Sequence, residues 1–195
     1  MVFHSEKQVA DTSGAWNLIL VDRDHYIPAN YQVELTELSN GEKVDSRIYL
    51  ELQQMFDDAR AAGLALFVRE GYRTTKEQQQ IMDDRIKEHE NQGCSKKEAK
   101  KKAEEYVAIP GTSEHQLGLS VDINADTSKC SSDAVYQWLD ENAYKYGFVK
   151  RYPEDKTDIT SINNEPWHYR YVGKDAARTM KQENLCLEEY LIKYK

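Results

Sequence analysis

Cysteine is scarce in this sequence, and the few cysteines are widely separated. The 195 residues include only Cys94, Cys130 and Cys186, and no two of them form a C-x-x-C pair. An odd number of scattered cysteines excludes both a disulfide framework and a thiolate zinc site. We interpret the three as free, unreactive thiols. Any metal ion in this protein must therefore be bound by histidine and carboxylate side chains.

Long apolar runs and a surplus of positive charge are also lacking. No run approaches the roughly 18 apolar residues that are needed to cross a bilayer. The net charge is −8 and the pI is near 5.2, so a nucleic acid would have to bind against the overall field and is not expected as a partner. With 39% hydrophobic and 31% charged residues, the composition is that of a globular chain rather than a disordered one.

The order of periodic segments predicts a single domain. Residues 1–16 are polar and expected to be loose, and residues 17–195 are expected to form one domain with a sizeable core. Apolar runs predict strands at 17–21, 64–68, 119–123 and 167–172, and helical spacing predicts helices at 48–59, 74–91, 95–107 and 135–146 before a short helical tail. Because helices and strands do not alternate regularly, we predict an α+β fold with a small, mainly antiparallel sheet.

Short local signals set the expected helix boundaries. Thr74 with Glu77, and Ser95 with Glu98, have the spacing of a capping box at a helix start. Gly63 and Gly147 follow the last apolar positions of two other helices and predict their ends. The second capped helix, KKEAKKKAEEYV, is rich in lysine, and its interleaved glutamates favour a solvated face over a contact with an anionic polymer.

Two compact segments contain residues that could bind a metal ion. SEHQLGLSVD places His115 and Asp122 seven residues apart, and EPWHYRY places Glu165 three residues before His168. Catalytic zinc is held by three protein ligands with one position open for water, and two histidines with one carboxylate are a common set. Pro166 favours a bend that would turn Glu165 toward the same site as His168. The residues alone leave open whether the histidines bind metal or are ordinary core or surface residues.

These segments resemble the motifs of a known enzyme family. SEHQLGLSVDIN and EPWHYRYVG are similar to the S-x-H-x-x-G-x-[AS]-x-D and E-x-W-H-x-x-Y motifs of zinc D-alanyl-D-alanine carboxypeptidases of the VanY type, which are related to the VanX dipeptidases. EGYRTTKEQ resembles the S-G-Y-R-[ST]-x-x-x-Q element of the same family, except that Glu70 replaces the usual serine. The likeness extends from about Asn17 to Leu191, with the motifs in the family's order.

The resemblance implies a role for each matching residue. It implies one Zn²⁺ per chain in a cleft on the sheet, with Glu165 as the catalytic base and Arg73 as the group that polarises the scissile carbonyl. Ser113 and Gln78 match substrate-holding groups; Tyr171 is a further substrate-binding candidate, although Trp167 and Tyr171 fit a core role better. The implied metal ligands are His115, Asp122 and His168.

The resemblance also implies a substrate and leaves alternatives open. It implies a D,D-carboxypeptidase that removes the terminal D-alanine from peptidoglycan peptides ending in D-Ala-D-Ala, which would connect the protein to glycopeptide (vancomycin) resistance. An L,D-carboxypeptidase acting on tetrapeptide stems, a D,D-dipeptidase and a non-catalytic zinc-braced cell-wall module are the alternatives. We expect a monomer on the outer face of the bacterial cytoplasmic membrane behind a removed N-terminal anchor; a cytoplasmic enzyme is the alternative location.

Overall fold

A four-stranded sheet lies at the centre of the protein. The computed structural model describes residues 8–194. Among these residues, eight strands are found at Gln8–Val9 (β1), His25–Tyr26 (β2), Leu35–Glu37 (β3), Lys43–Asp45 (β4), Leu66–Glu70 (β5), Ser120–Ala125 (β6), Phe148–Lys150 (β7) and His168–Tyr171 (β8). The central sheet has the order β5-β6-β8-β7, and every pair in it is antiparallel. This confirms the predicted α+β class.

Helices surround this sheet. They span Tyr49–Ala61 (α1), Thr75–Asn91 (α2), Lys96–Ala103 (α3), Ser132–Asn142 (α4), Thr157–Thr160 (α5), Lys174–Glu183 (α6) and Leu187–Tyr194 (α7). Both predicted capping boxes are present, at Thr74 with Glu77 and at Ser95 with Glu98. Each satisfies backbone N–H groups that the first helical turn would otherwise leave free. No helix among residues 8–194 is both long and apolar enough to span a membrane.

Side chains alternate along β6 and β8, so that one face of the central sheet packs against the core and the other carries the site. Val121 and Ile123 of β6 and Tyr169 of β8 point into the main core, where α1 and α4 pack on the sheet. Asp122 and His168, the next residues along, point to the opposite face. Successive side chains of a strand lie on opposite faces, so one sheet carries both the core and the site.

The segment 17–21 differs from its prediction as a strand. Trp16–Leu18 forms one turn of 3₁₀ helix, and residues 19–21 form no ladder with another strand. The segment is apolar because Ile19 and Val21 are buried in the core. Its carbonyl groups at Asn17 and Ile19 accept hydrogen bonds from the Arg170 guanidinium instead of from a neighbouring strand.

The predicted loose segment 1–16 is only partly covered by the structure. Residues 1–7 lie outside the described part of the chain. Beyond them, β1 pairs in parallel with β2, and Ala10 is buried in the core. Residues 8–10 are therefore docked on the domain, which differs from the expectation of looseness.

Candidate metal centre and active-site cleft

Strand pairing brings three of the predicted site residues together. Asp122 in the middle of β6 lies opposite His168 on β8 and opposite Glu70 on β5. His115 arrives from the 3₁₀ turn Glu114–Leu117 just before β6. That turn ends at Gly118, which has φ +74 and whose added Cβ would approach the backbone of Asp45. Because glycine tolerates this positive φ, the chain can turn sharply between His115 and the start of β6.

The three side chains offer a compact set of ligand atoms. His115, Asp122 and His168 can each contribute one atom, and these atoms lie within 4.8 Å of one another. Oδ1 of Asp122 is 3.4 Å from Nε2 of His115 and 3.2 Å from Nδ1 of His168. Neither contact has hydrogen-bond geometry, and Oδ1 is a buried oxygen that has no hydrogen-bond partner among residues 8–194. Since buried polar atoms are normally satisfied, this atom fits a bound cation.

Backbone contacts fix the orientation of the first imidazole. Nδ1 of His115 lies 2.7 Å from the carbonyl oxygen of Gly71 and donates to it. This contact leaves Nε2 as the lone-pair nitrogen that faces Asp122. Gly71 is itself required here, because a Cβ at this position would lie 2.2 Å from the carbonyl oxygen of Lys43. Lys43 of the β3–β4 hairpin thus packs directly against the segment Glu70–Arg73.

Burial and neighbouring charges tune the imidazoles. Burial, with the positive charge of Arg73, lowers the pKa of His115, which keeps this ring neutral as a metal ligand must be. Burial alone would also lower the pKa of His168, but the carboxylates of Asp122 and Glu114 outweigh it and raise the pKa to about 9 in the metal-free site. Because a metal ion binds the neutral imidazole, an ion at this site would displace a proton from His168.

Glu165 lies beside these ligand atoms in the segment before β8. Its Oε2 is 3.5 Å from Nδ1 of His168, and its backbone N–H donates to the carbonyl of Tyr152. The chain turns at Pro166 and Trp167 before the strand begins, as the proline predicted. Burial, reinforced by the charge of Asp122, raises the pKa of Glu165 to about 7 in the metal-free site. A carboxyl group tuned near neutrality is suited to accept and return a proton.

Arg73 is clamped at the edge of the site. Its guanidinium contacts Glu70, donates to Oε1 of Gln78 at 3.1 Å and reaches Oδ2 of Asp122 at 3.5 Å. Gln78 in turn donates through Nε2 to the carbonyl of Ala108 at 2.8 Å. Both polar ends of Gln78 are therefore engaged within the protein. Gln78 also lines the cleft, so its predicted contact with substrate stays a prediction, and the structure adds a direct contact with Arg73.

One open cleft contains most of the predicted residues. It encloses about 1190 Å³, counting space that opens to solvent, and seven of the eight predicted site residues line it. These are Arg73, Gln78, Ser113, His115, Asp122, Glu165 and His168. Tyr171 does not line this cleft: it packs against the core, with its ring 5.8 Å from that of Trp16 and 5.2 Å from that of Phe148. Trp167, which we expected in the core, lines the cleft.

A buried ionic cluster under the metal site was not anticipated from the sequence. Glu114 is fully buried and accepts from Nε of Arg151 at 2.7 Å and from Nη1 of Arg170 at 2.8 Å. These two cations hold the pKa of Glu114 well below its usual range despite its burial. The available signal was a glutamate directly before His115 in the motif SEHQLGLSVD.

The site therefore has the parts of a metallohydrolase. The ligand atoms of two imidazoles and one carboxylate converge on one point, the Glu165 carboxyl group of raised pKa lies beside His168, and the Arg73 guanidinium reaches the carboxylate of Asp122. Zinc sites with this ligand set and an adjacent carboxylate hydrolyse peptide bonds. The fold and the site therefore have the features that a zinc peptidase requires.

Comparison with known proteins identifies the protein family. The family profile of VanY, D-alanyl-D-alanine carboxypeptidase, matches residues 41–174. The chain is 57% identical over 176 residues to a D-alanyl-D-alanine carboxypeptidase of Enterococcus faecalis, a match that covers 90% of this chain and 66% of that protein. This protein belongs to the VanY family of D-alanyl-D-alanine carboxypeptidases, as its motifs predicted. The chain thus spans about two thirds of the length of this relative.

Solved structures show the same fold. The structure of VanYB in complex with D-alanine-D-alanine has a TM-score of 0.91 at 56% identity and covers 93% of this chain and 100% of that chain. A mutant of the vancomycin resistance D,D-pentapeptidase VanY from a VanB-type cassette, in complex with Zn(II), has a TM-score of 0.89 at 57% identity and covers 91% and 99% of the two chains.

Proposed function

We propose that this protein is a zinc-dependent D,D-carboxypeptidase that removes the terminal D-alanine from peptidoglycan peptides ending in D-Ala-D-Ala. The observation that carries the proposal is the arrangement of His115, Asp122 and His168 around one point, with Glu165 beside it. The similarity to a VanYB structure that holds D-alanine-D-alanine supports the substrate. Loss of the terminal D-alanine would destroy the D-Ala-D-Ala terminus, which is the target of vancomycin.

The residues of the cleft divide the hydrolysis between them. When bound, zinc lowers the pKa of water toward ~7 and acts as a Lewis acid. Glu165 accepts a proton from the attacking water as the hydroxyl adds to the carbonyl carbon. As the C–N bond breaks, Glu165 returns that proton to the nitrogen of the departing D-alanine. Arg73 cannot lose its proton and offers fixed positive charge to the developing oxyanion.

The same cleft is open enough to admit peptides of different lengths. Ser113 is buried at its wall, while Ile81, Arg85 and Tyr106 line the same cleft from the helical segments 75–107. Specificity among peptide termini depends on such lining side chains rather than on the metal ligands. We therefore propose that these helical side chains determine the choice between D,D- and L,D-carboxypeptidase activity.

One experiment separates the four candidate functions. Zinc-loaded protein is incubated in parallel with a pentapeptide ending in D-Ala-D-Ala, a tetrapeptide and free D-Ala-D-Ala, and the products are weighed by mass spectrometry. Release of one D-alanine from the pentapeptide alone is expected. Cleavage of the tetrapeptide or of the free dipeptide would instead indicate the L,D-carboxypeptidase or the dipeptidase. Absence of all turnover would indicate a zinc-braced binding module.

Metal content and assembly state are part of the same proposal. Because all three ligands come from a single chain, we propose one zinc ion per chain in a monomeric enzyme. Elemental analysis with light scattering on the same preparation measures both quantities. A ratio of one zinc to two chains, or a dimeric mass, would contradict this part.

The proposed place of action is the outer face of the cytoplasmic membrane. Assembled peptidoglycan peptides lie outside that membrane, and the substrate therefore supports this location. A cytoplasmic enzyme acting on precursors is the alternative. Fractionation of the native host, followed by detection in membrane, wall and cytoplasmic fractions, tests the two.

A further inference from the structure

Glu114 forms the centre of an ionic cluster that the fold keeps entirely away from water. Its side chain and that of Arg170 are both 0% exposed, and that of Arg151 is 1% exposed. Removing charges from water costs several kcal/mol per ion, and apolar residues of similar size often give equal or greater stability. Stability alone is therefore a weak explanation for this cluster. Its position beneath the metal ligands suggests another role.

The two carboxylate oxygens of Glu114 have different partners. Oε1 accepts from both arginines, at 2.7 and 2.8 Å. Oε2 accepts from Oγ of Ser120 at 3.1 Å and also faces Nε2 of His168 at 3.6 Å. Within the described residues, Nε2 of His168 is a buried atom that has no hydrogen-bond partner. The carboxylate oxygen is thus the group available to this nitrogen.

The orientation of the His168 ring follows from these contacts. Nδ1 points toward the site, 3.2 Å from Oδ1 of Asp122 and 3.5 Å from Oε2 of Glu165, while Nε2 points back to Glu114. An imidazole whose Nε2–H faces a carboxylate presents Nδ1 as its lone-pair nitrogen. Histidines that bind metals commonly direct their second nitrogen to such a carboxylate or to a carbonyl group.

We propose that Glu114 is a positioning residue that keeps the His168 proton on Nε2 and so reserves Nδ1 for the metal. It complements Gly71, whose carbonyl oxygen reserves Nε2 of His115 in the same way. The two arginines hold the carboxylate in place: Arg151 through a bidentate pair with Glu188 of α7, and Arg170 through the carbonyls of Asn17 and Ile19. The inference rests on the proposed zinc site.

The chain offers a matched control for this role. Glu188 pairs with the same Arg151 at 2.7 and 2.9 Å, but it does not contact His168. Glu114→Gln and Glu188→Gln both remove one charge from the same ionic cluster. Only Glu114→Gln changes the group that faces the imidazole. Any loss of stability common to both variants can therefore be separated from loss of metal binding.

The test measures Zn²⁺ affinity by competition with a chelator, and the tautomer of His168 by ¹⁵N NMR of the zinc-loaded protein. In the unsubstituted protein, we expect a protonated Nε2 and a metal-shifted Nδ1 on His168. Glu114→Gln should bind Zn²⁺ about 10–100-fold more weakly, the usual effect of losing such a partner. Glu188→Gln should retain the affinity even where its unfolding midpoint falls.

The possible results separate this inference from the zinc site itself. Coordination of His168 through Nε2 in the unsubstituted protein would overturn the positioning role without any variant, so a Glu114→Gln protein that fails to fold does not prevent the test. Equal losses of affinity in both variants would assign the cluster to general stability. If the unsubstituted protein bound no Zn²⁺, the proposed site would fail.

Discussion

The two walls of the cleft are built in different ways. One wall is the ligand face of the sheet, where Asp122 and His168 line the cleft and each charged group is buried and held by several partners. The other wall is the helical rim, residues 75–107, which packs around a small core of Met82, Ala103 and Val107. Most of its other side chains are exposed, and local capping boxes define its helices.

This difference separates what performs the chemistry from what selects the substrate. Strands β6 and β8, together with the turns that precede them, hold the ligand atoms and Glu165 in one geometry, as hydrolysis requires. The rim contributes Ile81, Arg85, His89 and Tyr106 to the same cleft from helices and loops with few buried contacts. Segments with few buried contacts open and vary most easily. Substitutions on the ligand face should therefore affect zinc or kcat, and those on the rim should affect KM.

The largest effect is expected from loss of a metal ligand. His168→Ala should remove most of the zinc and lower kcat/KM by about 10³-fold or more, because the metal supplies several kcal/mol of transition-state stabilisation. His89→Ala, which removes an imidazole from the rim of the same cleft, should keep full zinc. Elemental analysis of both variants makes the comparison. Full zinc in His168→Ala would refute the ligand set.

The second largest effect is expected at Glu165, where catalysis can be separated from metal binding. Glu165→Gln keeps the size of the side chain but cannot accept a proton, so zinc and fold should remain while kcat falls by about 10²–10⁴-fold. Zinc content and D-alanine release are measured in one preparation. If zinc is lost together with activity, Glu165 is a ligand rather than the base.

Arg73 lies where the two walls meet, and its effect should be smaller. Arg73→Ala should lower kcat by about 10²–10³-fold with little change in KM, because the guanidinium acts on charge that develops in the transition state. Arg73→Lys should restore only part of the lost kcat, since an ammonium cannot make the contacts of the guanidinium fork. Arg85→Ala on the rim is the matched control, and only its KM should rise. A rise in KM alone for Arg73→Ala would make it a ground-state carboxylate binder.

The sequence predicted the parts of both walls that depend on local patterns. Capping boxes gave the starts of the two rim helices, and Gly63 predicted the end of α1 at Ala61 because a left-handed residue terminates a helix. The motifs named the three residues whose ligand atoms converge. These features involve few residues each, and their spacing along the chain is enough to recognise them.

The parts that could not be predicted depend on contacts between distant segments. Glu114 meets Arg151 and Arg170 across 37 and 56 residues, and no spacing rule joins them. The segment 17–21 was misread as a strand because its apolar pattern reports burial, whereas its carbonyls are used by Arg170. Tyr171 lies on the core side of β8 because side chains alternate along a strand and Tyr169 is on the same side.

The smallest effect is expected on the rim, at Tyr106. This tyrosine lines the cleft and is 52% exposed, so its ring is available to the peptide stem but is not part of the ligand face. Tyr106→Ala should leave zinc content and kcat unchanged and raise KM for the pentapeptide severalfold, because burying an aromatic ring against a ligand contributes about 1–2 kcal/mol. Lys101→Gln, on the exposed side of α3, is the control and should change neither constant.

Steady-state kinetics with the pentapeptide and with a shorter peptide ending in D-Ala-D-Ala show which part of the substrate the Tyr106 ring contacts. A ring that binds the stem should matter less for the shorter peptide, whereas an equal rise in KM for both would place its contact at the terminal D-alanines. A fall in kcat would show that the rim takes part in the chemistry and would end the division between the two walls.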